Sequence, residues 1–256
     1  MKASRSRRGF TLVELLVTIA VIGVLAGLLL PALAGAAAKA KRVTCFNAMR
    51  QWAIGNRLYA DDNQGILPRE EAVDGPNSWD LTARDSNQDV WYNCVPAELG
   101  VNSVGQYALS VATQMDFYKD RLFTCPSAKF DPVASQSYPN FSISMNSKLI
   151  NGPGPVSFNM VEAHNASLTA MFVDSGVPGE PKFYKYQSSY NGQPKAFASR
   201  FSGRHGRAGN IAFFDGHVQT MPGEKVVCTN DGDLINRGRD IYPPVDVIWY
   251  IGTETE

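Results

Sequence analysis

An excess of charge is what this chain lacks: 24 Lys and Arg balance 24 Asp and Glu over 256 residues. Four of the cations, Lys2, Arg5, Arg7 and Arg8, fall ahead of Gly9, which leaves 20 against 24 acids, a balance of −4, in the rest. No basic face is evident there to neutralise a phosphate backbone, so nucleic-acid binding has no support and no nucleic acid is expected as a partner. Histidine is scarce, with three residues, and so is cysteine, with four (Cys45, Cys94, Cys125, Cys228) and no C-x-x-C pair, so the spacing of a structural zinc site is missing. Neither repeats nor low-complexity tracts occur.

One stretch is rich in what the rest has little of. From Phe10 to Leu33 the chain is apolar, interrupted by a single charge, Glu14. Twenty-four residues in a helix rise about 36 Å, enough to cross a hydrocarbon core of about 30 Å with some tilt. A helix satisfies its own backbone in lipid. The basic N-terminal flank keeps that end in the cytoplasm and sends the remainder across the membrane. A carboxylate inside such a span costs a few kcal/mol unless it is paired. Either Glu14 snorkels to the interface, or it meets a cation on another chain. The rival reading of the whole stretch is a secretory signal peptide, with Ala32-Leu33-Ala34 before Gly35 as its cleavage site. The apolar run exceeds the usual 7–15 residue core of such a signal, and the acid within it is foreign to one.

The run Gly9-Phe10-Thr11-Leu12-Val13-Glu14-Leu15-Leu16, preceded by its cations, resembles the processing motif of type IV pilins and type II secretion pseudopilins. The resemblance implies a leader over 1–9, cleavage after Gly9 by a prepilin peptidase and N-methylation of Phe10 by the same enzyme. It implies that Glu14, fifth in the mature chain, pairs with the first residue of an adjacent subunit. Pro31 matches the proline that such helices carry in the span, where a missing hydrogen bond kinks or locally melts the helix. Two further segments resemble a large subgroup of prepilin-like proteins. One is a C-x-x-N-x-x-Q helix from Cys45, ending in Tyr59-Ala60-Asp61-Asp62-Asn63. The other is an H-x9-D-G signature formed by His205, Asp215 and Gly216, for which the family implies no chemical role.

Beyond the span, Cys45, Ala48, Met49, Trp52 and Tyr59 recur at helical spacing and predict one long helix over 10–60, with 10–33 in the membrane and 34–60 in water. That helix would be roughly 75 Å long. Residues 61–256 read as a globular domain with long irregular insertions. Short helices are predicted at 97–99 and 106–110. Strands are predicted at 141–146, with Phe141, Ile143 and Met145 on one buried face, at 168–173, at 211–214 and 217–221 around a two-residue Asp215-Gly216 turn, and at 245–251. Trp79, Trp91, Tyr92 and Tyr107 lie among turn-rich segments, either buried or forming a contact for glycan or protein. Four exported cysteines allow three full pairings, and an oxidising compartment permits them. At least one disulfide is expected, with Cys45–Cys125 preferred; four buried free thiols are the alternative.

Three chemical readings of the distal motif are open. His205, Asp215 and His217 are the residue types of a 2-His-1-carboxylate metal site. Ser199 or Ser202 with His205 and Asp215 spells a hydrolytic triad by type, without a nucleophile elbow. The preferred reading is structural: Asp215 supports its turn and His205 bonds a neighbouring loop. Asp231 and Asp233, with Asp240 beyond, carry oxygen donors that suit calcium, but EF-hand spacing is absent and a solvated turn is preferred. No cofactor is otherwise expected.

These readings converge on an α+β, pilin-like fold, in which a long N-terminal transmembrane helix packs its soluble half on a mostly antiparallel sheet. The expected protein is a structural subunit without enzymatic activity. It is anchored by a single pass in the inner membrane, with its N-terminus cytoplasmic and its globular domain periplasmic, and its partners are the prepilin peptidase, other pilin or pseudopilin subunits and membrane lipid. The alternatives are a monomeric, membrane-tethered binding protein and an exported metal-dependent enzyme. Mass spectrometry of the mature chain separates the first-order choices: it is expected to begin at N-methylated Phe10, whereas a start at Gly35 would mark a removed signal peptide.

Overall fold

The structure, a computed structural model, describes residues 11–70, 72, 78–131, 137–147, 149, 158–163, 165–184, 187, 189–226 and 247–249. The leader with Gly9 and Phe10, the predicted loop at 151–155, Cys228, Asp231, Asp233 and Asp240 lie outside them. The chain divides into two compact units, Met1–Ala40 and Lys41–Glu256.

Helix α1 covers Leu12–Asp62. Its part in the first unit is apolar on every side apart from Glu14, Thr18 and Lys39 and is exposed throughout, as a helix facing lipid or sister helices would be. It is long and apolar enough to cross a membrane by length and composition, with a mean hydropathy of 2.6 over 18 residues. Pro31 lies inside the helix.

In the second unit the same helix becomes one-sided. Cys45, Ala48, Met49, Trp52, Ala53, Asn56 and Ala60 are buried, while Arg50, Arg57 and Asp61 face solvent. Gly55 has a packing reason. A Cβ there would lie 2.7 Å from Val95 and 3.0 Å from Leu99, so the bare backbone lets α3 (Trp91–Glu98) approach. The helix stops where Gln64 and Gly65 turn left-handed, with the Gly65 N–H donating to the Ala60 carbonyl at 2.7 Å.

The sheet has five strands in the order β3-β1-β2-β4-β5. These are β1 (Ile143–Asn146), β2 (Ala170–Asp174), β3 (Lys195–Ala196), β4 (Ala208–Phe213) and β5 (Val218–Pro222). All pairings are antiparallel except β1 with β3. Residues on alternate sides of β4 enter two clusters: Ala212 joins Trp52, Trp91 and Phe172, while Ile211 and Phe213 join Phe201, Met221 and Trp249. The insertion between α1 and the sheet is helical, with α2 (Trp79–Thr82), α3, α4 (Val104–Tyr107) and α5 (Val111–Phe117). The two short helices predicted there are displaced: 97–99 meets only the end of α3, whose N-cap Val90 makes no side-chain cap bond, and 106–110 runs from α4 to the N-cap of α5, two helices that start at the Ser103 and Ser110 capping boxes.

Trp52 is the hub of the core. Its ring lies 4.7 Å from Trp91, 5.2 Å from Phe123 and 5.7 Å from Phe172, and its indole N–H donates to the Leu122 carbonyl at 2.7 Å. Trp79, Trp91, Tyr92 and Tyr107 are buried around it, so they are core rather than a contact for glycans.

The expectation of a half-exposed β1 fails, because its polar face is buried as well. Ser142 Oγ accepts from the Cys125 amide at 2.7 Å, and Asn146 Nδ2 donates to the carbonyls of Ala170 and Trp249 at 2.8 and 2.7 Å. Filled hydrogen bonds make that burial tolerable. Truncating the hub should cost far more than an average core change: Trp52→Ala is expected to lower unfolding free energy by about 3–5 kcal/mol. Chemical denaturation reads it, and a loss under about 1 kcal/mol would contradict the assignment.

Candidate functional site

Two places carry chemistry, one in each unit. In the first, α1 opens on a capping box. Thr11 Oγ1 accepts from the Glu14 amide at 3.2 Å, and Glu14 Oε2 accepts from the Thr11 amide at 2.9 Å and from Thr11 Oγ1 at 2.8 Å. The Thr11-Leu12-Val13-Glu14 spacing carries this signal, which the sequence reading passed over in favour of an intermolecular partner for Glu14. These bonds satisfy one carboxylate oxygen without neutralising its charge.

In the second unit, the distal motif separates into two sites. Its nine-residue interval is filled mainly by β4, whose six residues span roughly 20 Å. His205 stands before that strand and Asp215 after it, so His205, Asp215 and His217 do not meet as a metal triad. Asp215 Oδ1 accepts from the His217 amide at 3.1 Å and pairs with His217 Nδ1 at 2.6 Å; the imidazole stacks on Phe213 at 4.4 Å. The Gly216 amide donates to the Phe213 carbonyl at 2.9 Å, and Gly216 has φ +89°. The connection is therefore a turn closed by a left-handed glycine bulge, one residue longer than predicted. Asp215 supports the turn, as expected. It also borders a surface groove with Arg57, Asp61, Gln64 and Asn159.

The His205 end is buried and charged. Cys45 and Cys125 form a disulfide with Cα atoms 5.3 Å apart, the preferred pairing, which overturns the alternative of four free thiols; Cys94 is a half-buried thiol. His205 Nε2 lies 3.5 Å from Cys125 Sγ and 3.6 Å from Asp174 Oδ2. Asp174 ends β2 and also accepts from the Asn210 amide and side chain at 2.7 and 2.9 Å. Arg204 holds Glu180 with two bonds, at 3.1 and 2.9 Å, donates to the carbonyls of Ser142 and Ser175, and comes within 3.7 Å of Asp174.

Burial pushes Asp174 above the usual carboxylate range, against the opposing pull of Arg204 and His205. Burial pushes His205 below the usual imidazole value, with Asp174 opposing and Arg204 and Arg42 reinforcing. Ser202 Oγ donates to Glu180, and the ring of His205 meets Asp174 and Cys125, so Ser202, His205 and Asp215 do not form the triad that their types spell. Sequence reasoning missed Asp174, Glu180 and Arg204. An acid closing the apolar run Ala170–Val173 was the available signal, because a strand end next to a buried face is where a charge needs a partner.

The comparisons agree with the N-terminal reading. The family described as the prokaryotic N-terminal methylation motif matches residues 4–30. The chain is 35% identical over 105 residues to type II secretion system core protein G of Escherichia coli (strain K12), covering 38% of this chain and 70% of that protein. No solved structure matches. The chain belongs to the family of type IV pilin-like and pseudopilin-like proteins, and it is a structural subunit of that class.

The buried acid and imidazole predict opposed pH dependences. A folded imidazole pushed below 6.5 makes stability fall as pH drops through that value, because the unfolded chain takes the proton first. A folded carboxyl pushed above 3.8 makes stability fall as pH rises past that value. The two effects have opposite signs in pH. His205→Gln should therefore lose stability as pH rises above about 4, and Asp174→Asn should lose it as pH falls below about 6.5, each by up to about 1.4 kcal/mol per pH unit. Denaturation curves at stepped pH check this; two variants that both parallel the native chain would contradict it.

Proposed function

We propose that this chain is an inner-membrane prepilin, cut after Gly9, N-methylated at Phe10 and polymerised through its N-terminal helix into a pilus-like filament or a secretion pseudopilus. Prepilin peptidase and sister or related subunits are its partners, and its globular domain lies outside the cytoplasm. The observation that carries this reading is the match of the methylation motif over residues 4–30, on a helix whose apolar surface is broken by one acid. The Escherichia coli relative is a core protein of a type II secretion system, which supports a secretory assembly.

The physics of assembly rests on Glu14. Packed between helices, a carboxylate with only hydrogen bonds to Thr11 keeps its full charge in a medium that solvates it poorly. The amine of a neighbour's first residue, freed by cleavage after Gly9, neutralises that charge and selects the axial register. A mismatched register leaves both charges unpaired, so the same contact gives stability and specificity.

The capping box supplies a sharp test. Glutamine can close the box as glutamate does, so Glu14→Gln keeps the helix start and removes only the charge. Both Glu14→Gln and Glu14→Ala are expected to insert in the membrane normally and to fail at incorporation, read by cross-linking of sheared assemblies. Incorporation of the Gln variant at the native level would refute charge pairing and leave capping as the role of this residue.

A further inference from the structure

Three ligand atoms meet where α1, the Cys125 turn and the His205 turn converge. Cys45 Sγ, Cys125 Sγ and His205 Nε2 all lie within 4.8 Å of one another. The two cysteines are almost wholly buried and the His205 side chain is 2% exposed. As a disulfide the sulfurs carry no charge and hold no ion. As thiols they would be two acidic protons beside an imidazole in a dry pocket.

We propose that the dithiol form of this chain binds one Zn²⁺ through Cys45, Cys125 and His205, so that metal and disulfide are alternative staples of one joint. Ligands about 2.0–2.3 Å from a tetrahedral ion sit roughly 3.5–3.8 Å from each other. His205 Nε2 and Cys125 Sγ are already 3.5 Å apart and Cys45 Sγ lies within 4.8 Å of both, so the main change is separation of the two bonded sulfurs. The Ser127 amide donates to Cys125 Sγ at 3.4 Å, one contact that favours a thiolate there, and the metal supplies the charge that burial otherwise opposes. Charge also balances, since two thiolates cancel the dication and the buried complex is neutral. The fourth position falls to water, since Asp174, whose Oδ2 lies 3.6 Å from the ring, is outside the three-ligand cluster. Binding releases two thiol protons to solvent. Returning the disulfide to this form takes two electrons, and the state arises without a reductant in any chain that has not yet met an oxidant.

This set differs from the one the sequence suggested, because it replaces Asp215 and His217 with the two cysteines. It does not depend on filament assembly.

The test uses the full chain in detergent. A phosphine reduces the disulfide, taking oxygen from water to become its oxide while each sulfur gains a proton. Co²⁺ and then Zn²⁺ are titrated into the reduced and the oxidised chain. The reduced chain should bind one equivalent, with the visible and charge-transfer bands of tetrahedral thiolate cobalt, and Zn²⁺ should bleach them. The oxidised chain should show none. His205→Gln should weaken binding at least tenfold and shift the bands, whereas a Cys94→Ser, Cys228→Ser control should bind like the native chain. If reduction alone abolishes the near-ultraviolet circular dichroism, Zn²⁺ should restore it. An absent cobalt spectrum, a His205→Gln variant that binds unchanged, or a signal that Zn²⁺ does not restore would each overturn the proposal.

Discussion

A single helix has to suit two solvents, and most of the architecture follows from how it does so. Up to Ala40, α1 shows no buried side. From Cys45 on it is apolar along one stripe, and that stripe is where the globular unit begins to bury surface. Uniform apolarity suits a medium without water, and one-sided apolarity suits a helix laid on a sheet. Within the second unit Trp52 fixes the contact by filling the space between α3, the Phe123 segment and β2, while the Cys45–Cys125 disulfide ties the same helix to the same segment. The aromatic hub and the cross-link act on one seam, between the soluble half of the helix and the Phe123 segment.

The distal motif becomes intelligible through its spacing. Nine residues between His205 and Asp215 are the length of one strand and its two flanking turns. The motif frames β4. One end points a buried imidazole at the disulfide, beside Asp174 and the Arg204–Glu180 pair; the other end stabilises an exposed hairpin through Asp215 and Gly216. Gly209 belongs to the same frame, since a Cβ there would lie 2.4 Å from the Ser202 carbonyl. Buried ion pairs of this kind add little net stability but are costly to break. That accounts for a demanding sequence pattern in a protein whose class is structural.

Much of this was legible beforehand, for identifiable reasons. The apolar run, its lone acid and its basic flank announce a membrane helix through length and charge alone. The Cys45 to Tyr59 stripe announces the packed face, because helical period survives in sequence. What stayed hidden is long-range. Ser142, Ser144 and Asn146 read as a solvent face, since alternation shows two faces and not what covers the second; loops from elsewhere in the chain cover it. Glu180 and Arg204 meet across 24 residues with no local pattern to pair them. The Thr11–Glu14 cap was legible as a box spacing but was masked by the stronger family motif.

The central claim is that an acid inside an apolar assembly is neutralised by the neighbouring subunit's N-terminus. The most direct measurement is a high-resolution electron-microscopy map of the assembled filament, read at Glu14. The Glu14 carboxylate is expected within about 4 Å of the amine of Phe10 in an adjacent copy, at ion-pair distance. A Glu14 bonded only to Thr11 of its own chain, with no cation nearby, would contradict it.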